Sequence, residues 1–156
     1  MSIRYAQHLV PRPVLSPVDI VSAATNTTHM KVTGHHATFL VYFGTITGDS
    51  VVVTVEESSA ASTTSAEAVP FRYRLSSAET ASTWGAVTTA DSGGVIVTAA
   101  QDDMILLVEV DPSDLSDGDN YLSVLVSPEA SCSAVEVAAI GIQEERYKAT
   151  NPKSST

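Results

Sequence analysis

Short runs of β-branched and aromatic residues recur at nearly even spacing, and no other feature restricts the fold of this chain as much. They cover residues 29–33, 37–46, 50–57, 68–76, 83–89, 94–99, 104–111, 121–127 and 134–143. Runs of that length, bounded by Gly, Pro, Asn and Asp, are the pattern of an all-β sandwich or barrel. Several show the period of two directly. Val51, Val53 and Val55 face one way and Val52, Thr54 and Glu56 the other, while Phe71, Tyr73 and Leu75 alternate with Arg72 and Arg74. Val and Thr suit a pleated sheet because a branched Cβ loses less freedom there than in a helix. Ser and Thr together form roughly a quarter of the chain, far above ordinary usage. The expected fold is an all-β, antiparallel β-sandwich or jelly roll over residues 19–146, with an extended N-terminal arm (1–18) and a C-terminal tail (147–156).

Two runs depart from one-sided alternation. In ATFLVYF (37–43), Phe39, Val41 and Phe43 are opposed by Leu40 and Tyr42, and MILLVEV (104–110) is apolar on both faces as well. A strand without a wet face belongs at a sheet centre or under a neighbouring chain. Turn chemistry separates the runs, with Gly48 and Asp49 expected to close a two-residue hairpin, since Gly supplies a positive φ. SSAASTTSAEA (58–68) has no large apolar side chain to pin it and reads as an exposed loop. VSAAT and PSDL can each form a single helical turn. The arm carries Pro11, Pro13 and Pro17, which lack an N–H and favour extended backbone in their predecessors.

Charge excludes some partners. Eight basic and 18 acidic residues leave a net charge of −10, which repels nucleic acid and acidic lipid surfaces. Residues 13–143 hold nearly all the acids against Lys31, Arg72 and Arg74, whereas Arg4 and Arg12 sit near one end and Arg146, Lys148 and Lys153 near the other. Cys132 is the only cysteine, so no intrachain disulfide forms. The N-terminal sequence does not read as a secretory signal, and no run approaches the length that crosses a bilayer as a helix. Synthesis in a reducing cytoplasm is expected.

Chemistry finds little support. His35 and His36, with His29 upstream, invite a metal, but adjacent strand residues point to opposite faces. Asp111, Asp114, Asp117 and Asp119 surround Gly118 without the order of a calcium-binding hand, since Leu115 stands two before Asp117. There is no G-x-S-x-G elbow, H-E-x-x-H or phosphate-cradling glycine loop. Cys132 has no nearby His or cation to activate it. The acidic pairs Glu56–Glu57, Asp102–Asp103 and Glu144–Glu145 diverge to opposite faces of a strand. Asn26-Thr27-Thr28 matches a glycosylation sequon, which requires secretion. No enzyme activity, cofactor or metal is expected.

The prolyl arm and the ending KATNPKSST have few means to order themselves alone, so a partner is expected to hold them. The residues expected to meet one are Arg4, Tyr5, Leu9 and Arg12 in the arm, Leu40 and Tyr42, Trp84, and Arg146, Tyr147 and Lys148 in the tail. An arm, the segment ATFLVYFGTITGDSVVVTVEES, the strand PFRYRL, the segment MILLVEVDPSDLSDGDNYLSVLVS and a last Ala- and Val-rich strand ending near ERYKA follow one another. This order resembles the capsid auxiliary (decoration or cement) proteins of tailed bacteriophages. The resemblance implies a β-sandwich or jelly roll, homo-oligomers with trimers favoured, the major capsid protein as partner, and a place on the outside of the virion. Other phage components of tail, collar or minor head, and a carbohydrate-binding or adhesin sandwich, are the alternatives.

Overall fold

Alternation at a period of two leaves each strand with one apolar face to cover, and two sheets facing each other cover both at once. The computed structural model describes residues 9–21, 23–33, 36–77 and 82–144. It contains β1 (Leu9–Asp19), β2 (Thr25–Asn26), β3 (Met30–Lys31), β4 (Ala37–Thr47), β5 (Val51–Ser58), β6 (Glu67–Val69), β7 (Phe71–Leu75), β8 (Thr88–Ala90), β9 (Val95–Val97), β10 (Ile105–Val110), β11 (Tyr121–Pro128) and β12 (Ala134–Glu144). One sheet runs β1-β12-β4-β10-β7-β8. The other runs β2-β11-β5-β6, with β3 also on β11 and β9 also on β5. All these pairings are antiparallel.

The wiring is that of a jelly roll. β2 and β3 pair with successive stretches of β11 and act as one interrupted strand. β6 pairs with Val55–Glu57 and β9 with Val51–Val53, so they act as another. Counted that way, the first sheet begins first–eighth–third–sixth and the second reads second–seventh–fourth–fifth, the order of two interleaved Greek keys. The chain between β6 and β9 leaves to add β7 and β8 beyond β10.

Three local expectations are corrected by this wiring. Gly48 does take a positive φ, +102°, but the turn it makes is not a hairpin: β4 pairs with β12 and β10, whereas β5 lies in the opposite sheet. The hydrogen bonds a hairpin would close go elsewhere. Ser133 N donates to Thr47 O at 2.8 Å, Glu129 N to Ser50 O at 2.9 Å, and Ser131 Oγ to Asp49 Oδ2 at 2.7 Å. The run 68–76 is broken at Pro70, where the chain crosses from β6 in one sheet to β7 in the other. The run 83–89 contributes only its end to β8, with Trp84 in an isolated bridge to Ser76. The arm is extended as expected, yet from Leu9 it is an edge strand of the chain's own sheet, pairing with β12 from Leu9–Glu144 to Asp19–Glu136. Pro11 and Pro13 are tolerated there because a strand bonded on one side needs only every other N–H.

The inter-sheet space is filled mainly by Val and Phe. Phe39, Val41, Phe43, Leu106 and Val108 of the first sheet meet Val51, Val53, Val55, Leu122, Val124 and Val126 of the second, all fully buried. Gly141 lies opposite Phe39, and Met30 from the second sheet occupies the space a side chain at Gly141 would need. Two buried polar groups tie the layers and loops together. Gln143 of β12 donates from Nε2 to Lys31 O of β3 and accepts from Thr33 Oγ1 at 3.2 Å. Glu57 accepts from Ser116 N at 2.8 Å and Ser116 Oγ at 2.6 Å, anchoring the acidic loop. Gln143→Leu removes the donor from the part-buried Lys31 carbonyl and the acceptor from Thr33, and a loss of about 1 kcal/mol in urea unfolding is the expected result.

Candidate interaction surface

The outward face of the first sheet follows from register, because residues directly opposite in an antiparallel pair share a face. Three rows cross it. Pro13, Ile140, Leu40, Leu107 and Arg74 form one, and Ala138, Tyr42 and Ile105 the next. Pro11, Ile142, Thr38, Glu109, Arg72 and Thr89 form the third. The first two rows are apolar except at the β7 edge. Ile140 and Tyr42 are each 44% exposed and Leu40, Leu107, Ile105 and Ala138 half-buried, and among the described residues no strand pairs or stacks over this face. A contiguous apolar patch rimmed by charge is how protein–protein contact sites look on a soluble domain. Next to it lies a dent of about 210 Å³ between Tyr73, Arg74, Val87, Leu107 and Glu109. Val87 is 60% exposed there.

The structure brings Leu40 and Tyr42 together at the centre of this face. Trp84 is half-buried at its β7 side, with the Arg74 guanidinium 4.9 Å from its ring centroid. Leu9 shares the outward parity at the far end of β1, while Arg12 is exposed opposite Gly141, which faces the core. Arg4, Tyr5, Arg146, Tyr147 and Lys148 lie outside the described residues. Ile140, Ile142, Ile105, Leu107 and Pro13 were not singled out from the sequence. The signal for β12 was present in AVEVAAIGI: once Val135, Val137 and Ala139 point inward, Ala138, Ile140 and Ile142 are left on what should be the wet face.

A second feature adjoins the patch. β1 shifts register twice against β12, between Pro13 and Val18, and a groove of about 400 Å³ opens there between Pro17–Asp19, Tyr42, Gly44, Asp103 and Glu136–Ala138. Its floor is apolar and its rim carries three carboxylates. Asp19 Oδ1 accepts from Val135 N, Asp103 Oδ1 from Tyr42 Oη, both at 2.9 Å, and Glu136 Oε2 lies 3.5 Å from Thr45 N.

The remaining chemical candidates are placed as follows. Among the described residues, no three His, Cys, Asp or Glu side chains are arranged to hold a metal ion. His36 lines a pocket of about 240 Å³ with Arg72, Glu109, Asp111 and Asp114, and His29 is not part of it; Gly34 and His35 lie outside the described residues. In the acidic loop, Asp111 caps the 3₁₀ turn Pro112–Asp114. Hydrogen bonds from Ser113 N and Ser113 Oγ hold its carboxyl below the ordinary 3.8, with smaller help from the charges of His36 and Arg72. A lowered folded pKa adds stability above the unfolded value that disappears as pH falls through the folded one. Amide exchange at Ser113 should therefore accelerate relative to the core as pH drops below 3.8. Cys132 is buried, with Sγ 3.1 Å from Ser50 O. Asn26 is half-buried in β2 and donates to Glu56 Oε2 at 2.6 Å.

No protein-family model, curated protein or solved structure matches this chain.

Proposed function

We propose that the chain is a non-enzymatic virion structural protein, a capsid decoration or cement protein that binds the outside of a tailed-phage head and bridges its subunits. The observation that carries this reading is the apolar outer face of the first sheet, centred on Leu40, Tyr42 and Ile140. A fold with the core already closed behind Phe39, Val41 and Phe43 gains nothing from this second apolar layer unless another surface covers it. Jelly-roll wiring supports the reading only weakly, since lectins and cupins share it. Against a cupin-like role, the inter-sheet space is packed with valines; against a lectin-like one, Phe39, Phe43 and Phe71 lie in the core and the exposed Tyr42 has aliphatic Ala138 and Ile105 beside it.

In this role the protein acts by mass action. Many copies that bind the assembled shell and not its dissociated subunits stabilise it in proportion to occupancy. The partner surface is the major capsid protein, presenting an apolar patch edged by acids that meet Arg72 and Arg74. Cryo-EM of heads from the parent phage, with and without the protein, tests this. Density over the shell, with the first sheet's outer face against it, is expected. Copies confined to the tail or collar would replace this reading with the other phage-component one, and absence from particles would remove both.

A further inference from the structure

The acidic groove beside β1 and the basic C-terminal segment are complementary, and we infer that this groove receives Arg146, Tyr147 and Lys148 of a second copy of the chain. The rim carboxylates Asp19 and Glu136 are directly opposed across the β1–β12 ladder. Like charges so placed repel, and among the described residues the groove lining contains no Lys or Arg. Its floor, Pro17, Val18 and Ala138, offers apolar area to an aromatic ring. A ligand that suits it is an extended peptide with two cations flanking an aromatic residue. Arg146-Tyr147-Lys148 has that composition, and elsewhere the chain's cations are few: Lys31, Arg72 and Arg74 belong to strands, Arg4 and Arg12 are separated by seven residues, and Lys153 has no aromatic neighbour in sequence.

Reach decides between the chain's own segment and a neighbour's. Along β12, Glu136–Ala138 lie about 20–27 Å from Glu144 at about 3.3 Å per residue. Arg146 and Lys148 follow Glu144 by two and four residues, an extended reach of at most about 7 and 14 Å, and they would have to reverse direction. Both cations therefore cannot occupy the groove of their own chain. Docked into a neighbour, each copy gives a tail and receives one, a head-to-tail contact that closes into a ring when the rotation permits. The contact uses the edge of the sheet beside the apolar face and leaves Leu40 and Leu107 uncovered.

The isolated full-length protein, without any shell, is the material for the test, so a failure here is separate from a failure of the shell-binding role. Sedimentation velocity over a concentration series should show a closed oligomer that weakens with added salt. Arg146→Glu with Lys148→Glu should weaken self-association at least about tenfold, as should Asp103→Asn with Glu136→Lys, where Asn keeps the positive φ of 57° at position 103. Unchanged melting temperatures show that each variant is folded. A wild type that stays monomeric, or a tail or groove variant that is folded and associates normally, would each overturn the inference.

Discussion

Phe39→Ala is expected to lower stability by about 3–5 kcal/mol and the melting temperature by roughly 6–20 °C. Phe39 has no exposed surface and stands between Val108 of β10 and Gly141 of β12. Gly141 brings no side chain to fill the space that truncation would open. Met30 already occupies the room above Gly141, so the opposite sheet would have to collapse inward to relieve the cavity, and close-packed strands do so only in part. Thermal and urea unfolding of the variant measure the loss directly. A change below about 1 kcal/mol would mean that the core around β4 repacks far more easily than such burial allows.

Leu40→Lys combined with Ile140→Glu is the surface counterpart, and as an opposed pair of opposite charges should leave the melting temperature nearly unchanged while reducing affinity for the proposed shell by about 10³-fold. Leu40 and Ile140 are directly opposed in the β4–β12 ladder and form the middle of the apolar face. Central apolar positions of an interface contribute about 2 kcal/mol or more each when disrupted, and two such losses give roughly that factor. Cosedimentation of the variant with heads, read against wild type, checks it. Retained binding with a folded variant would move the contact to another face.

Much of the layout was legible because period-two alternation reports directly on which face a residue takes. Phe39, Val41, Phe43, Val51, Val53 and Val55 all point inward as their pattern requires. Leu40 and Tyr42 were legible as residues of the strand's second face for the same reason, since an apolar residue there stands out. Gly48 illustrates the limit. Its positive φ could be read locally, but a tight turn has the same chemistry whether it folds a strand back onto its neighbour or throws it across to the facing sheet. That choice is made by residues 129–133, some eighty positions away, which take up the hydrogen bonds at Thr47, Asp49 and Ser50. Pro70 hides in a run that looks continuous, and only the two sheets reveal it as a crossing point.

β1 was harder still, because prolines suggest a linker. Pro11, Pro13 and Pro17 all occupy odd positions, however, and Pro11 and Pro13 pair with Ile142 and Ile140 within one unbroken register. Prolines two apart place their missing N–H groups on one edge of the strand, so this edge lacks donors that an additional strand would need. The same prolines that disguise β1 also discourage edge-to-edge aggregation on that side. The acidic groove could not be read from sequence, because it arises from two register slips that no composition encodes.

The pairing of β1 with β12 also dictates when the protein can fold. β12 is an inner strand, bonded to β1 on one side and β4 on the other, yet it follows β1 by more than a hundred residues. Until residues 134–144 are in place, β1 has no partner and β4 exposes an unpaired edge, so the first sheet stays open. Closing it afterwards joins residues more than a hundred positions apart, from Leu9 with Glu144 to Asp19 with Glu136, and pairings of such long range fold on the slow, millisecond-to-second side of the known range. Chains that have not yet closed this sheet expose the unpaired strands that are most prone to aggregate.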